Sequence, residues 1–300
     1  MSELGAPSSG SPGKRDEGEI AKPTRRGVYI LPSLFTIGTL ICGYIAILST
    51  LRGAEILAAG MGMGAAHLAF DDAAIKLGWA IVFDGLDGRI ARLTNSTSNF
   101  GKEFDSLADV ITFGIAPAFL AYAWGVQAIP PAYRPEVVHD IQRAGWLVGF
   151  AFVICGAARL ARFNIDRGST SDRRFFVGLP IPAGAGVVAA IVHFVKYPIQ
   201  TWAYSIVWLA IVAAAAFLMV SRVRYFSFKA IDLRKKHSYL LIIILGLVVW
   251  AIWAYSEPVL LFLAMVYFLH GPVMRLITRS RTHPPAETQE AAPGRQVSVT

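Results

Sequence analysis

The sequence predicts an all-α polytopic membrane protein with about eight transmembrane helices, and three observations carry that prediction. Hydrophobic residues make up 55% of the 300, charged residues only 16%, and mean hydropathy is +0.51, whereas ordinary soluble domains carry about 25% charged residues. The apolar residues gather in runs such as Val28 to Leu51, which holds no ionised side chain and exceeds the ~20 residues needed to cross a bilayer. The basic residues also divide unevenly between alternate loops. This composition excludes a soluble enzyme and a secreted disulfide scaffold. Cys42 and Cys155 both lie inside apolar runs and read as weakly polar core thiols with no redox or metal role.

Taken in order, residues 1–26 contain Ser-Ser-Gly-Ser-Pro-Gly and mixed charge without apolar periodicity, and are expected to form a disordered cytoplasmic tail. A transmembrane domain is expected over residues 27–279. Its spans are read at 28–51, 72–93, 103–125, 144–163, 180–196, 202–221, 239–255 and 258–276. The first is too long and too late for a cleaved signal peptide, so it should stay as an anchor. Residues 280–300, rich in Pro, Ala, Glu and Gln, read as a second disordered cytoplasmic tail. With the N-terminus in the cytoplasm, 23 of the 28 Lys and Arg residues fall on that side, and only Arg52, Lys76, Arg134, Arg143 and Lys196 fall outside. Positive residues are retained on the cytoplasmic side, so both termini are expected there, in a multi-pass protein of the cell membrane. The net charge of +8 therefore reads as membrane topology and contact with membrane lipids, with no nucleic-acid partner expected.

Four carboxylates stand where a membrane is expected to exclude them. The second span ends in Asp84-Gly85-Leu86-Asp87-Gly88-Arg89-Ile90-Ala91-Arg92, and the third begins Gly101-Lys102-Glu103-Phe104-Asp105-Ser106-Leu107-Ala108-Asp109. On helices, Asp84 and Asp87 are three apart and Asp105 and Asp109 four apart, so each pair projects from a single face. Two adjacent antiparallel helices bring the pairs together. Four clustered carboxylates repel one another and lose hydration unless they share protons or surround a cation. All-oxygen ligation suits Mg²⁺ or Mn²⁺, and two such ions about 4 Å apart suit phosphoryl chemistry. The bland alternative, helix caps or pairs with Arg89, Arg92 and Lys102, suits one aspartate better than four. An ion-coupled transporter predicts acids spread through the membrane depth, but no span carries a midplane acid.

Read together, Asp84-x2-Asp87-Gly88-x2-Ala91-Arg92-x8-Gly101-x3-Asp105-x3-Asp109 resembles the signature of the CDP-alcohol phosphatidyltransferase family at every fixed position. The resemblance implies a membrane enzyme that moves a phosphatidyl group from CDP-diacylglycerol to an alcohol and releases CMP. It implies Asp84, Asp87 and Asp105 as metal ligands, Asp109 as general base and possible further ligand, and contacts from Gly88, Ala91, Arg92 and Gly101 to the CDP moiety. It also implies a homodimer. Independent chemistry supports these roles: glycines 88 and 101 let a nucleotide approach the backbone, Ala91 leaves room, and Arg92 can fork onto phosphate oxygens.

The surroundings resemble those family members that use L-serine as acceptor. Asp105-Ser106-Leu107-Ala108-Asp109 runs into Thr112-Phe113-Gly114-Ile115-Ala116-Pro117. Arg159-Leu160-Ala161-Arg162-Phe163-Asn164, Phe176-Val177-Gly178-Leu179-Pro180-Ile181-Pro182 and Arg224-Tyr225-Phe226-Ser227-Phe228-Lys229 follow in or beside cytoplasmic loops. The resemblance is looser near Leu31, where the family often has Asn at the positions of Ser33 and Thr39. Glycerol 3-phosphate, inositol and an inositol phosphate are the alternative acceptors. Arg159 and Arg162 suit the serine carboxylate or the lipid phosphates, though positive-inside anchoring explains them as well. Asn164 suits a polar group of the substrate, or a helix cap. Ser106 lies between two aspartates without a nearby Cys, His or Lys to activate it, and reads as helix packing. The six histidines are dispersed with no pair at metal-ligand spacing.

Overall fold

Within a bilayer a backbone group has no water to bond, so a long apolar segment must satisfy itself as a helix. The computed structural model describes residues 30–93, 99–130, 134–166, 175–226 and 238–281, and helix dominates them. Helices α1 (Ile30–Ala58) and α2 (Met63–Leu93) are followed by α3 (Asn99–Asp109) and α4 (Ala116–Tyr122), which form one rod with π-helical turns over Val110–Ile115 and Ala123–Gln127. Next come α5 (Pro135–Asp166), α6 (Ile181–Val195), α7 (Trp202–Val220), α8 (Ser238–Ala254) and α9 (Ser256–Arg281). Two short strands, β1 (Phe175–Val177) and β2 (Arg224–Phe226), pair antiparallel with Phe176 opposite Tyr225.

Each expected span has a helical rod in place, yet five helices among the described residues are individually long and apolar enough to cross a membrane. These are Leu34–Ala58, Phe100–Gln127, Pro135–Ile165, Trp202–Val220 and Ser256–Arg275. The protein is therefore a multi-pass helical one, with a crossing count of five on that criterion where eight is expected. The other three rods depart for identifiable reasons. Helix α2 has 31 residues but carries Asp71, Asp72 and Lys76 at one end and Asp84, Asp87 and Arg89 at the other. Helices α6 and α8 have only 15 and 17 residues. The expected start of the second span at residue 72 is also late by nine residues, because Gly60 turns the chain sooner. It adopts a φ of 66°, and Met61 N–H bonds the Ile56 carbonyl at 3.1 Å, a C-terminal cap that glycine accommodates without strain. The two terminal tails lie outside the described residues.

The packing follows membrane logic. Leu34, Ile37, Ile41, Tyr44, Leu48 and Leu51 are all exposed on α1, a stripe at three- and four-residue steps that suits lipid contact. Small residues make the inward contacts: Ala46, Ala66, Ala73, Ala80, Ala116, Ala185 and Ala215 are buried, which lets backbones approach where lipid supplies no hydrophobic drive. Gly43 is the tightest such point near the aspartates, since a Cβ there lies 2.8 Å from Thr112 Cα. Larger side chains fill the centre, with Trp124 and Trp208 meeting edge to face at 5.1 Å between ring centroids.

Polar ties close the end of the bundle remote from Asp84. His193 on α6 bonds Asp71 of α2 through Nδ1 at 2.5 Å and Ser256 of α9 through Nε2 at 3.0 Å. Lys196 pairs with Glu257 at 2.6 Å. Thirteen residues along α2 separate Asp71 from Asp84, roughly 20 Å of helix. At the other end, the two-stranded β1–β2 sheet is anchored by the buried Tyr225, whose hydroxyl donates to the Phe268 carbonyl of α9 at 3.3 Å. Burial pushes its phenol up to about 12. Gly178 leaves β1 at φ 82°, and a Cβ there lies 2.3 Å from the Met219 carbonyl oxygen, so only glycine fits.

Candidate active site

Three of the four motif aspartates converge. One carboxylate oxygen from each of Asp84 on α2 and Asp105 and Asp109 on α3 lies within 4.8 Å of the other two. Asp84 and Asp105 are half-buried, and Asp109 is the deepest of the three. Asp84, Asp105 and Asp87 act on Asp109 with like charge, and Arg159 of α5 supplies opposing charge. Asp109 Oδ1 is buried without a hydrogen-bond partner among the described residues. A buried carboxylate oxygen left this way is costly unless something else meets it. Oxygen donors at this spacing, one orphaned, fit a hard divalent cation.

Asp87 is held differently. It is 6% exposed, and the Thr36 hydroxyl of α1 donates to its Oδ2 at 2.6 Å. Its Oδ1 is buried and unpartnered among the described residues. The sequence reasoning missed Thr36. Its signal was a hydroxyl inside an apolar span, one turn from the Ser33 and Thr39 positions already noted. Beside it, Thr112 in the first π-helical turn donates to the Thr39 carbonyl at 3.3 Å. The wider turn after Asp109 was also not legible from periodicity; such turns recur at functional sites.

The predicted nucleotide contacts lie on the same two helices as this trio. Gly88 lies in the last turns of α2 and is exposed, and a Cβ added there meets nothing within 4 Å. Gly101 is half-buried in the first turn of α3. Ala91 and Arg92 close α2, and their side chains fall outside the described residues. Among the candidate acceptor groups, Arg159 is half-buried, with Nε buried and unpartnered among the described residues. Its neighbours in charge are Asp109 and Tyr267 of α9. Tyr267 is a second residue the sequence reasoning missed, because the span at 258–276 reads only as an apolar run. Arg162 is exposed. Asn164 bonds Ser106 across the α3–α5 contact at 3.1 Å.

A bundle of membrane helices that gathers three carboxylates at one end, beside an open glycine and a half-buried arginine, defines a membrane-embedded enzyme able to hold a divalent cation through oxygen ligands. The chain belongs to the CDP-alcohol phosphatidyltransferase family, whose model matches residues 29–220, and is therefore a transferase. A protein from Helicobacter pylori (strain ATCC 700392 / 26695) named CDP-diacylglycerol–serine O-phosphatidyltransferase is 37% identical over 222 residues, 74% of this chain and 82% of that one. The protein of that name from Bacillus subtilis (strain 168) is 32% identical over 200 residues, 66% of this chain and 91% of its own. A third, from Mycobacterium bovis (strain ATCC BAA-935 / AF2122/97), is 31% identical over 263 residues, 84% of this chain and 82% of its own.

Proposed function

We propose that this enzyme transfers the phosphatidyl group of CDP-diacylglycerol to L-serine, giving phosphatidylserine and CMP. The observation that carries the reading is the convergence of Asp84, Asp105 and Asp109 in a chain of this family, and the relatives' shared name supports serine as acceptor. Asp84, Asp87, Asp105 and Asp109 are the proposed holders of Mg²⁺ or Mn²⁺, as two ions. When bound, such ions neutralise the pyrophosphate and stabilise the charge that develops on the departing CMP.

The chain's own groups do the rest. Gly88, Ala91, Arg92 and Gly101 receive the CDP moiety, with the guanidinium of Arg92 on phosphate oxygens. Asp109 accepts the proton of the serine hydroxyl as that oxygen attacks the phosphorus and the bond to CMP breaks. Thr36 holds Asp87 by donating to it. Arg159, Arg162 and Asn164 are the proposed contacts for the acceptor. The reaction face is cytoplasmic, as are residues 1–26 and 280–300, and the enzyme works as a homodimer in the cell membrane. Purified protein given CDP-diacylglycerol and a panel of alcohols tests this reading through CMP release. L-serine should support turnover, and equal or faster turnover with glycerol 3-phosphate or inositol would overturn the acceptor assignment.

A further inference from the structure

The hydroxyl of Ser106 sits in a chain of hydrogen bonds whose direction is fixed by chemistry. It donates to the Lys102 carbonyl at 2.9 Å, and a carbonyl can only accept. Its one proton is thereby committed, so towards Asn164 it can only accept. The group of Asn164 facing it at 3.1 Å must then be the Nδ2 amide nitrogen. The polarity of the network thus assigns the amide orientation. The consequence falls on the other atom of that amide. Asn164 Oδ1 is buried and has no partner among the described residues, and buried acceptors are rarely left so.

Two more atoms share that condition nearby: Arg159 Nε and Asp109 Oδ1. They differ in kind, one being a cationic donor, one a neutral acceptor and one an anionic acceptor. Helix α3 and the end of α5 meet here through the Ser106–Asn164 bond, and Arg159 lies within electrostatic range of Asp109. The groups are three residues apart on α3 and five apart on α5, roughly 4.5 and 7.5 Å of rise, within the reach of a small amino acid and the long arginine side chain. A hydroxy amino acid offers a carboxylate, an ammonium and a hydroxyl, which are the complements of this set.

Resting on the acceptor reading above, we propose that Asn164 Oδ1 recognises the ammonium group of the acceptor, and that Ser106 is a positioning residue that keeps that oxygen turned towards it. Arg159 takes the carboxylate. Without the Ser106 oxygen the amide is free to rotate by half a turn and present its donors, which repel an ammonium. Ser106 therefore acts on acceptor selection through Asn164 and does not touch the reacting atoms.

The test compares L-serine with 3-hydroxypropionate, the same molecule without its amino group, in CMP release by the full-length enzyme. Ser106→Ala should raise KM for L-serine about tenfold with kcat little changed. KM for 3-hydroxypropionate and thermal stabilisation by CDP-diacylglycerol should hold, so the preference between the two acceptors narrows by that factor. Ser106→Thr keeps the hydroxyl and should restore the preference. Unchanged KM for L-serine in Ser106→Ala, or an equal loss with both acceptors and with the CDP-lipid, would overturn the proposal. The latter pattern would mark a packing role. If the wild-type enzyme releases CMP with another alcohol and not with L-serine, the acceptor reading itself fails, and this inference with it.

Discussion

Asp109 carries two demands in the proposed reaction, since it sits among the carboxylates proposed to hold the metal and also takes a proton. They separate on substitution. Asp109→Asn keeps the shape and one oxygen but cannot accept a proton, so turnover should fall by about 10² or more while metal-dependent CDP-lipid binding largely persists. Asp84→Asn should instead lose that binding. Thermal stabilisation in detergent reads the difference, because a ligand bound only to the folded state raises stability. Equal loss in both variants would make Asp109 chiefly a ligand. Gly88 yields a complementary expectation. A Cβ there meets nothing within 4 Å in the protein, so Gly88→Ala should leave the melting temperature unchanged and raise KM for CDP-diacylglycerol. A loss of stability in that variant would show that the glycine serves the helix and not the nucleotide.

The contact of α1 with α2 and the π-helical turn decides whether the aspartates meet. Thr36 is 4% exposed and Asp87 6% exposed, so Thr36→Val leaves a buried carboxylate without its donor and should destabilise by about 1–3 kcal/mol. A melting temperature equal to wild type would contradict this. Gly125 tests packing at a remove from the chemistry, because a Cβ there lies 2.1 Å from the indole of Trp208. Gly125→Ala should destabilise by about 1–3 kcal/mol through overpacking, with KM for both substrates held in the protein that folds. The carboxylate spacing on α2 and α3 was legible in the sequence, because helical periodicity alone sets which side chains share a face. The Thr36 bond and the α9 neighbour of Arg159 were not legible, since both are contacts between segments distant in sequence, and hydropathy says only that such segments are apolar. The helix ends shifted for a similar reason: a glycine cap and charges at the ends of α2 set its limits, and apolar run length does not register them.

Across the whole molecule, the trio lies at one end of the bundle and the His193 ties at the other, and the proposed topology puts the first end in the cytoplasm. A single cysteine at Met61, 69% exposed between α1 and α2, should label from outside intact cells. One at Val177, 47% exposed in β1, should label only once the membrane is breached. The opposite pattern would invert the topology and separate the site from cytosolic serine and nucleotide. In the proposed reaction, turnover requires a divalent cation held by the carboxylate trio. The direct measurement is CMP release from CDP-diacylglycerol and L-serine, first in EDTA and then on return of Mg²⁺ or Mn²⁺, for wild type and Asp84→Asn. Release should cease in EDTA and return with the metal in wild type, and Asp84→Asn should need far more metal or fail to recover. Undiminished release in EDTA, or recovery of Asp84→Asn at the wild-type metal concentration, would contradict it.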